Sequence, residues 1–224
     1  MKLKPYKAVL FDLDGTLLNT LDDLAHTANR VLASKGFPTH PSDAFRYFVG
    51  EGAAKLIARA LPPEKRQDDH CVQACIQAFY ENYELNWNVN TRPYKGIPAM
   101  LDALSAKNIK LAVLSNKPDN FTQKCATEFL SQWNFEVVFG LRENVPRKPD
   151  PTGAFEVAAL LNLSPSEFIY VGDTSIDMQT ANAAGMFAVG VEWGFRPVDE
   201  LKAAGAQLII SHPSAILNLL EEIH

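Results

Sequence analysis

The sequence predicts an α/β fold in which a doubly wound parallel sheet forms the core and a helical cap domain is inserted into it. After Gly96, helix and strand patterns alternate along the chain, which is typical of a parallel sheet with helices on both faces. A short apolar strand, Val9–Phe11, stands alone near the start. A lone strand cannot bury its side chains, so we place it in the later sheet. The predicted core is therefore Rossmann-like and discontinuous in sequence.

The segment between this first strand and the alternating region is predicted to be the inserted cap. Apolar residues recur there at spacings of three and four, as in Leu21, Leu24 and Ala28, which indicates amphipathic helices. Glycine and proline residues separate the helical stretches, as expected at helix joints. The predicted domains are a core of residues 1–16 and 91–224 and a cap of residues 17–90.

The core elements are expected to follow one another in a regular order. Each predicted strand is a short apolar run, and each predicted helix repeats apolar residues every three or four positions. The predicted helices are Ile97–Lys107, Asn120–Leu130, Thr152–Leu161 and Asp177–Ala184, with a final one over Ile216–Leu220. The predicted strands are Leu111–Leu114, Val137–Phe139, Phe168–Val171 and Ala188–Val191.

The composition argues against several functional classes. Apolar residues make up 47% of the chain and charged residues 21%, as in an ordinary globular protein. The net charge of −5, without a long basic block, argues against sequence-independent binding to nucleic acid. The sequence has no long apolar stretch of the kind that spans a membrane, and its three cysteines form no Cys-x-x-Cys pair. We therefore expect a cytoplasmic protein that binds neither nucleic acid nor membranes.

Two aspartates, Asp12 and Asp14, directly follow the first strand, and Gly15 after them permits a tight turn. Residues two apart in an extended segment project to the same side. Ligands of open α/β sheets bind at the carboxyl ends of the strands, so both carboxylates can face one ligand. An isolated pair of this kind is more often a simple Asx turn. Its interpretation therefore depends on residues further along the chain.

Three later segments also follow predicted strands and are expected at the same edge of the sheet. They are Ser115-Asn116-Lys117, the loop that contains Lys148, and the stretch Gly172-Asp173 to Asp177. Together with the two aspartates of the first strand, they resemble, in order and context, the four motifs of the haloacid dehalogenase-like phosphohydrolases. Each motif alone is weak evidence, whereas the ordered set is specific.

The resemblance implies that Asp12 attacks phosphorus and forms an aspartyl-phosphate. An aspartate, with a reference pKa of about 3.9, is ionised at neutral pH, so this nucleophile needs no separate base. A phosphate is also negative, and the site therefore requires counter-charge. We expect Mg²⁺ to supply it, held by Asp12, the backbone carbonyl of Asp14, and Asp173, because this ion prefers oxygen ligands.

The remaining motif residues are predicted to serve the same reaction. Ser115, Asn116 and Lys148 would hold the phosphoryl oxygens, and Lys148 adds positive charge. Negative charge nearby favours the protonated form of a carboxyl group. A protonated Asp14 could therefore give its proton to the leaving oxygen and then act as base for the hydrolytic water.

Three further residues are predicted to support the site. Thr16 is expected to position Asp14. Asp177 lies four residues after Asp173 and would orient metal-bound water or Lys148. Gly172 belongs to the same segment and is expected to support it.

The cap is expected to determine substrate selectivity. Its segment Phe48–Leu56 resembles the specificity loop of phosphoglycolate phosphatases in the same family. Gly50 and Gly52 precede a predicted helix, where backbone can approach an anion closely. We therefore predict Gly50, Glu51 and Gly52 as specificity residues and a small phosphorylated metabolite as substrate, with 2-phosphoglycolate as the best match.

The same motifs allow several alternatives. Related pyrophosphatases, sugar-phosphate phosphatases and β-phosphoglucomutase-like phosphomutases share nearly all of them. A dehalogenase needs neither a second acid nor Mg²⁺, so Asp14 argues against that activity. A non-enzymatic phosphate-binding protein is expected to lack at least one motif residue, and none is missing. The sequence leaves open whether the protein is a monomer or a homodimer.

Overall fold

The computed structural model describes residues 6–220, and its main feature is a six-stranded parallel sheet. In chain order, the strands are β1 Ala8–Phe11, β2 Leu18–Asn19, β3 Arg92–Pro93, β4 Lys110–Pro118, β5 Phe135–Leu141, β6 Phe168–Gly172, β7 Phe187–Val191 and β8 Leu208–Ile210. The large sheet has the order β5-β4-β1-β6-β7-β8, while β2 and β3 pair only in a sheet of two strands. Strand β1 is central, and all four of its residues are buried, as expected for a strand with neighbours on both sides.

Helices connect the strands and cover the sheet. In chain order, they are α1 Leu21–Ser34, α2 Phe45–Phe48, α3 Ala53–Ala60, α4 Asp69–Asn86, α5 Ile97–Ala106, α6 Asp119–Phe129, α7 Thr152–Leu160, α8 Ser175–Ala184 and α9 Val198–Ala203. The main apolar core lies between strands and helices: Leu10 and Tyr170 of the sheet belong to the same buried cluster as Val157 of α7 and Met178 of α8. The predicted α/β fold with a doubly wound parallel sheet is thus confirmed.

The structure differs from the sequence prediction at the end of the chain. Strand β8 and helix α9 were not predicted, because three and six residues are too few for a clear apolar period. The helix predicted over Ile216–Leu220 is wrong as to type, since the chain forms a 3₁₀ helix over Pro213–Leu219. Its proline at the first position fits a helix start, but the following residues tighten into i→i+3 turns.

The chain divides into two compact units: one contains the residues up to Leu18 and from Pro93 onward, and the other is Asn19–Arg92. The second unit is helical. Within it, α4 packs against both α1 and α3, and α2 packs against α3. Among the described residues, none of the helices combines the length and the apolar character that a membrane span requires.

The first and last turns of this helical unit are joined through one buried carboxylate. Asp23, in the first turn of α1, is only 2% exposed. It accepts hydrogen bonds from the backbone N–H and side-chain amide of Asn90 at 2.8–3.0 Å, and from the backbone N–H and hydroxyl of Thr91 at 2.9 and 2.8 Å. Asp23 therefore ties the start of the unit to its end.

Candidate active site

The order of the strands brings the predicted site residues to one edge of the sheet. Strand β1 lies between β4 and β6, with Phe11 in register with Val113 on one side and Val171 on the other. The chain runs from β1 outward through β4 and β5 and then returns to the opposite side at β6. This reversal makes the β1/β6 boundary the topological switch point, where open α/β sheets bind their ligands. Asp12 and Asp173 directly follow these two strands.

Three buried carboxylates form a cluster at this edge. Ligand oxygens of Asp12, Asp173 and Asp177 all lie within 4.8 Å of one another, and the residues are 7%, 0% and 0% exposed. Burial raises the pKa of Asp12 to about 7, with Lys148 opposing the shift and Asp177 adding to it. Burial, together with the negative charge of Asp177 and Asp12, also raises the pKa of Asp173 well above its usual range. Burial therefore disfavours the ionised form of both carboxyl groups.

Lys148 lies beside this cluster, and its ammonium nitrogen is within 3.0 Å of three oxygens. Its Nζ is 3.0 Å from the backbone carbonyl oxygen of Leu114, 2.6 Å from Oδ1 of Asp177 and 2.9 Å from Oδ1 of Asp12. Burial would lower the pKa of Lys148, but the carboxylates of Asp12 and Asp177 outweigh it and raise the pKa well above its usual range. The two carboxylates therefore favour the charged form of Lys148.

The contact between Lys148 and Asp12 differs from the other two. It is an ion pair at 2.9 Å that lacks hydrogen-bond alignment, so Oδ1 of Asp12 has no hydrogen-bond partner among the described residues. A buried carboxylate oxygen without such a partner is unusual in a folded protein. This oxygen can therefore accept a further ligand.

The side chain of Asn116 holds the backbone of Lys148 by two hydrogen bonds. Its side-chain amide donates to the Lys148 carbonyl at 3.1 Å, and its side-chain oxygen accepts from the Lys148 N–H at 2.9 Å. Both ends of the Asn116 side chain are therefore engaged in fixing the lysine loop. Because the side chain is engaged in this way, a phosphate contact of Asn116 would have to come from its backbone N–H, and this contact stays a prediction. Ser115 precedes it at the end of β4 and is 4% exposed, and its hydroxyl oxygen accepts from the backbone N–H of Lys117 at 3.3 Å.

Asp173 is held by donors from two other segments. The hydroxyl of Thr16 donates to its Oδ1 at 2.9 Å, and the backbone N–H of Phe195 donates to its Oδ2 at 2.8 Å. The prediction that Thr16 positions Asp14 needs correction, because its one hydroxyl proton is directed at Asp173. A Cβ on Gly15 or Gly194 would overlap the Asp173 side chain, so these glycines make room for the carboxylate.

Asp177 serves two neighbours at once. Its Oδ2 accepts from the backbone N–H of Thr174 at 3.0 Å and from the Thr174 hydroxyl at 2.7 Å, a capping box at the start of α8. Its Oδ1 pairs with Lys148, in agreement with one of the two contacts predicted for it. A Cβ on Gly172 would overlap the Asp177 side chain, which explains the glycine at the end of β6.

Asp14 lies outside the carboxylate cluster and has a different partner. Its Oδ1 and Oδ2 are 3.1 and 3.2 Å from Nζ of Lys117. Sequence reasoning assigned Lys117 no role, although its position directly after Ser115-Asn116 placed it at the same edge. The pair is separated by 103 residues in the chain, so only the fold could have identified it.

The donor set is suited to a divalent cation. With Asp12, Asp173 and Asp177 ionised, Lys148 leaves two negative charges of the cluster uncompensated. The unpartnered carboxylate oxygen and the raised carboxyl pKa values point to the same deficit. A hard cation with oxygen ligands, such as Mg²⁺, meets this requirement. Asp12 and Asp173, which directly follow the adjacent strands β1 and β6, remain the side chains predicted to hold it.

The residues predicted for specificity lie in the helical unit, in the loop between α2 and α3. Gly50 and Gly52 have φ values of +116° and +85°, which side chains rarely adopt. Glu51 between them pairs with Arg59 of α3, and Arg59 also donates to the backbone carbonyls of Tyr47 and Phe48 at 3.5 and 3.3 Å. Arg59 thus fixes the loop and compensates the charge of Glu51.

Comparison with known proteins agrees with this fold. The family model described as haloacid dehalogenase-like hydrolase matches residues 9–191. The chain belongs to this family, and the resemblance inferred from its four motifs is confirmed.

Among curated relatives, a phosphoglycolate phosphatase of Thiobacillus denitrificans is 32% identical over 202 residues, covering 88% of this chain and 89% of the relative. An N-acetylmuramic acid 6-phosphate phosphatase of Pseudomonas aeruginosa is 31% identical over 223 residues, covering 99% and 97%. A crystal structure from Lactobacillus delbrueckii subsp. bulgaricus, provisionally assigned as a phosphoglycolate phosphatase, has a TM-score of 0.89 and 28% identity. It covers 97% of this chain and 99% of that one.

Proposed function

We propose that this protein is a Mg²⁺-dependent phosphomonoester hydrolase that works through an aspartyl-phosphate on Asp12, with 2-phosphoglycolate as its substrate. The observation that carries the proposal is the buried Asp12 carboxylate, whose Oδ1 lacks a hydrogen-bond partner within residues 6–220 although it lies 2.9 Å from the Lys148 ammonium. The carboxylate is thus poised for attack beside a fixed positive charge. The match of the chain to phosphatases along most of its length supports the same reaction class.

The first half-reaction transfers the phosphoryl group to Asp12. A carboxylate oxygen of Asp12 forms a bond to phosphorus while the bond from phosphorus to the leaving oxygen breaks, and Asp14 supplies the proton that this oxygen takes up. When bound at Asp12 and Asp173, Mg²⁺ supplies positive charge that offsets the substrate dianion. The Ser115 hydroxyl and backbone N–H groups nearby hold the phosphoryl oxygens.

Lys148 can interact with the negative charge both on Asp12 and, after transfer, on the phosphoryl oxygens. Two of its N–H groups are anchored by Leu114 and Asp177, and the third points to Asp12 without hydrogen-bond alignment. As negative charge passes from Asp12 to the phosphoryl oxygens, this third N–H can turn to them while the other two keep the ammonium in place. One unit-charge pair 4 Å apart is worth about 4 kcal/mol at an effective dielectric of 20, so this contact matters for a dianionic substrate.

The second half-reaction returns the enzyme to its starting state. Asp14 takes a proton from a water molecule, the water oxygen bonds to phosphorus, and the bond from phosphorus to Asp12 breaks. Phosphate leaves and Asp12 is again a carboxylate. Because Asp14 acts in both halves, its position controls both rates.

The assignment to 2-phosphoglycolate depends on the cap loop and on relatives. Several curated relatives at 31–33% identity are phosphoglycolate phosphatases. Arg59 compensates the charge of Glu51, so the loop that contains Gly50 and Gly52 opposes a carboxylated substrate less than it would with an unpaired glutamate. The full-length match to an N-acetylmuramic acid 6-phosphate phosphatase makes that sugar phosphate the second candidate.

The test is phosphate release with and without Mg²⁺ from a panel of 2-phosphoglycolate, N-acetylmuramic acid 6-phosphate, glucose phosphates, pyrophosphate and para-nitrophenyl phosphate. We expect Mg²⁺-dependent release with the highest kcat/KM on 2-phosphoglycolate. Asp12→Asn should lower the rate at least about 1,000-fold, because it removes the nucleophile, while circular dichroism shows a retained fold. Another preferred phosphate would overturn the substrate only, sugar-phosphate isomerisation would indicate a mutase, and an active Asp12→Asn would overturn the mechanism.

A further inference from the structure

Lys117 is a buried lysine whose ammonium group is directed at Asp14. Its side chain is 3% exposed and that of Asp14 is 12% exposed. Nζ lies at nearly equal distances, 3.1 and 3.2 Å, from the two carboxylate oxygens. A contact to both oxygens fixes the plane of the carboxylate as well as its distance. Burying an ammonium is costly, so this position requires an explanation.

The backbone that carries Lys117 is held from two sides. Its N–H donates to the Ser115 hydroxyl at 3.3 Å, and its carbonyl accepts from the hydroxyl of Thr122 in α6 at 3.2 Å. The end of β4 therefore fixes three neighbouring groups in a row: Ser115, the Asn116 side chain that clamps the Lys148 loop, and Lys117.

Lys148 does not fill the same role. Its three N–H groups are directed at Leu114, Asp177 and Asp12, so none remains for Asp14. The two lysines thus divide the carboxylates between them: Lys148 faces Asp12 and Asp177, and Lys117 faces Asp14.

We propose that Lys117 is a positioning residue for acid–base catalysis: it holds the Asp14 carboxylate in the orientation from which protons are exchanged with the leaving oxygen and with water. This inference rests on the phosphatase function proposed above. Without the lysine, Asp14 loses its fixed orientation, and the steps that need its proton transfer slow down.

The proposal makes a specific claim about leaving groups. An alkyl alcohol leaves phosphorus only when its oxygen is protonated, whereas para-nitrophenolate leaves readily without a proton. Loss of Lys117 should therefore slow phosphoryl transfer from 2-phosphoglycolate more than from para-nitrophenyl phosphate. In the variant that lacks Lys117, para-nitrophenyl phosphate should form the phosphoenzyme faster than water hydrolyses it. Para-nitrophenol should therefore appear in a burst during the first turnover.

The experiment compares Lys117→Met, Lys117→Arg and the control Lys107→Met, which removes an exposed lysine at the end of α5. We expect Lys117→Met to lower kcat/KM about 100-fold on 2-phosphoglycolate, within the range for lost acid–base catalysis. The loss of kcat/KM on para-nitrophenyl phosphate should be smaller by a factor of at least about ten. Lys117→Arg should recover part of the loss because it restores the charge and the donors. Lys107→Met should match the wild type on both esters. Thermal unfolding of each variant shows whether it is folded.

The outcomes separate this inference from the proposed function. Equal losses on both esters in a folded Lys117→Met variant, without a burst, would mean that Lys117 serves the structure only, and the inference would be wrong while the phosphatase function stands. If another alkyl phosphate is the best substrate, that ester replaces 2-phosphoglycolate in the comparison with para-nitrophenyl phosphate, and a larger loss on the alkyl ester again supports the inference. A wild-type protein inactive on every phosphate would overturn the function and, with it, this inference.

Discussion

Replacing Asp23 by Asn should destabilise the helical unit much more than the same change at its neighbour, Asp22. Both acids lie in the first turn of α1, but Asp22 is exposed and Asp23 is buried. Asp23 accepts from two donors on Asn90 and two on Thr91. The pair of substitutions therefore separates the effect of these hydrogen bonds from that of charge at a helix start.

The magnitude follows from the geometry. Oδ1 of Asp23 accepts from the side-chain amide of Asn90, and Oδ2 from the N–H and hydroxyl of Thr91. An Asn at position 23 can place its NH₂ group at either oxygen position, and in both cases this group faces N–H or O–H donors of Asn90 or Thr91 that the Asp23 carboxylate accepts from. The loss of charge-assisted bonds at about 1.5–3 kcal/mol each predicts about 2–4 kcal/mol for Asp23→Asn. Asp22→Asn should cost about 0.3–1 kcal/mol, the value of an acid in the first turn.

Urea unfolding measures both values, and hydrogen exchange on peptides covering α1 and residues 86–92 assigns them to the helical unit. The exchange measurement is needed because a chain of two units does not have to unfold in one step. We expect faster exchange around Asn90 and Thr91 only in Asp23→Asn. If the two variants lose stability equally, or if exchange at this segment is unchanged, Asp23 does not tie the two ends of the unit together.

Two further predictions concern the site and the cap. Gly15→Ala should lower kcat/KM about 100-fold, the usual effect of a displacement near 1 Å, because its Cβ would overlap the Asp173 carboxylate. Gly185→Ala is the matched control: it has a similarly positive φ but open space around it, so kinetics should change in the first variant only. Arg59→Met should raise KM for 2-phosphoglycolate several-fold with a smaller effect on kcat, because it leaves the charge of Glu51 uncompensated. The double variant that also carries Glu51→Gln should have a KM near that of the wild type. Steady-state kinetics tests it, and an unchanged KM would remove Arg59 and Glu51 from substrate selection.

The accuracy of the sequence reasoning depended on how local the signal was. The predicted strands coincide with β1, β6 and β7 to within one residue at either end, because short apolar runs report burial on both faces of a parallel strand. The strand predicted over Leu111–Leu114 lies within β4, which continues to Pro118. Asp12 and Asp173 could be placed at one edge because each directly follows such a run. Strand β8 carries only three residues, two of them half-buried, and therefore gave no comparable signal.

Side-chain partners were predicted less well, since they are set by residues far apart in the chain. Thr16 is two residues from Asp14 but donates to Asp173, 157 residues away. Proximity in sequence favoured the wrong partner. Asn116 illustrates the same point, because both ends of its side chain bind the backbone of Lys148 across the sheet edge.

The sequence by itself thus determined the fold class, the central strands and the family, because periodicity and ordered motifs are written in consecutive residues. The tertiary structure alone decided which charges pair: Lys148 with Asp12 and Asp177, and Lys117 with Asp14. The physical reason is that a buried ammonium is stabilised only by acceptors within about 3 Å. Which acceptors lie that close is fixed by the packing of strands β1, β4 and β6 against one another.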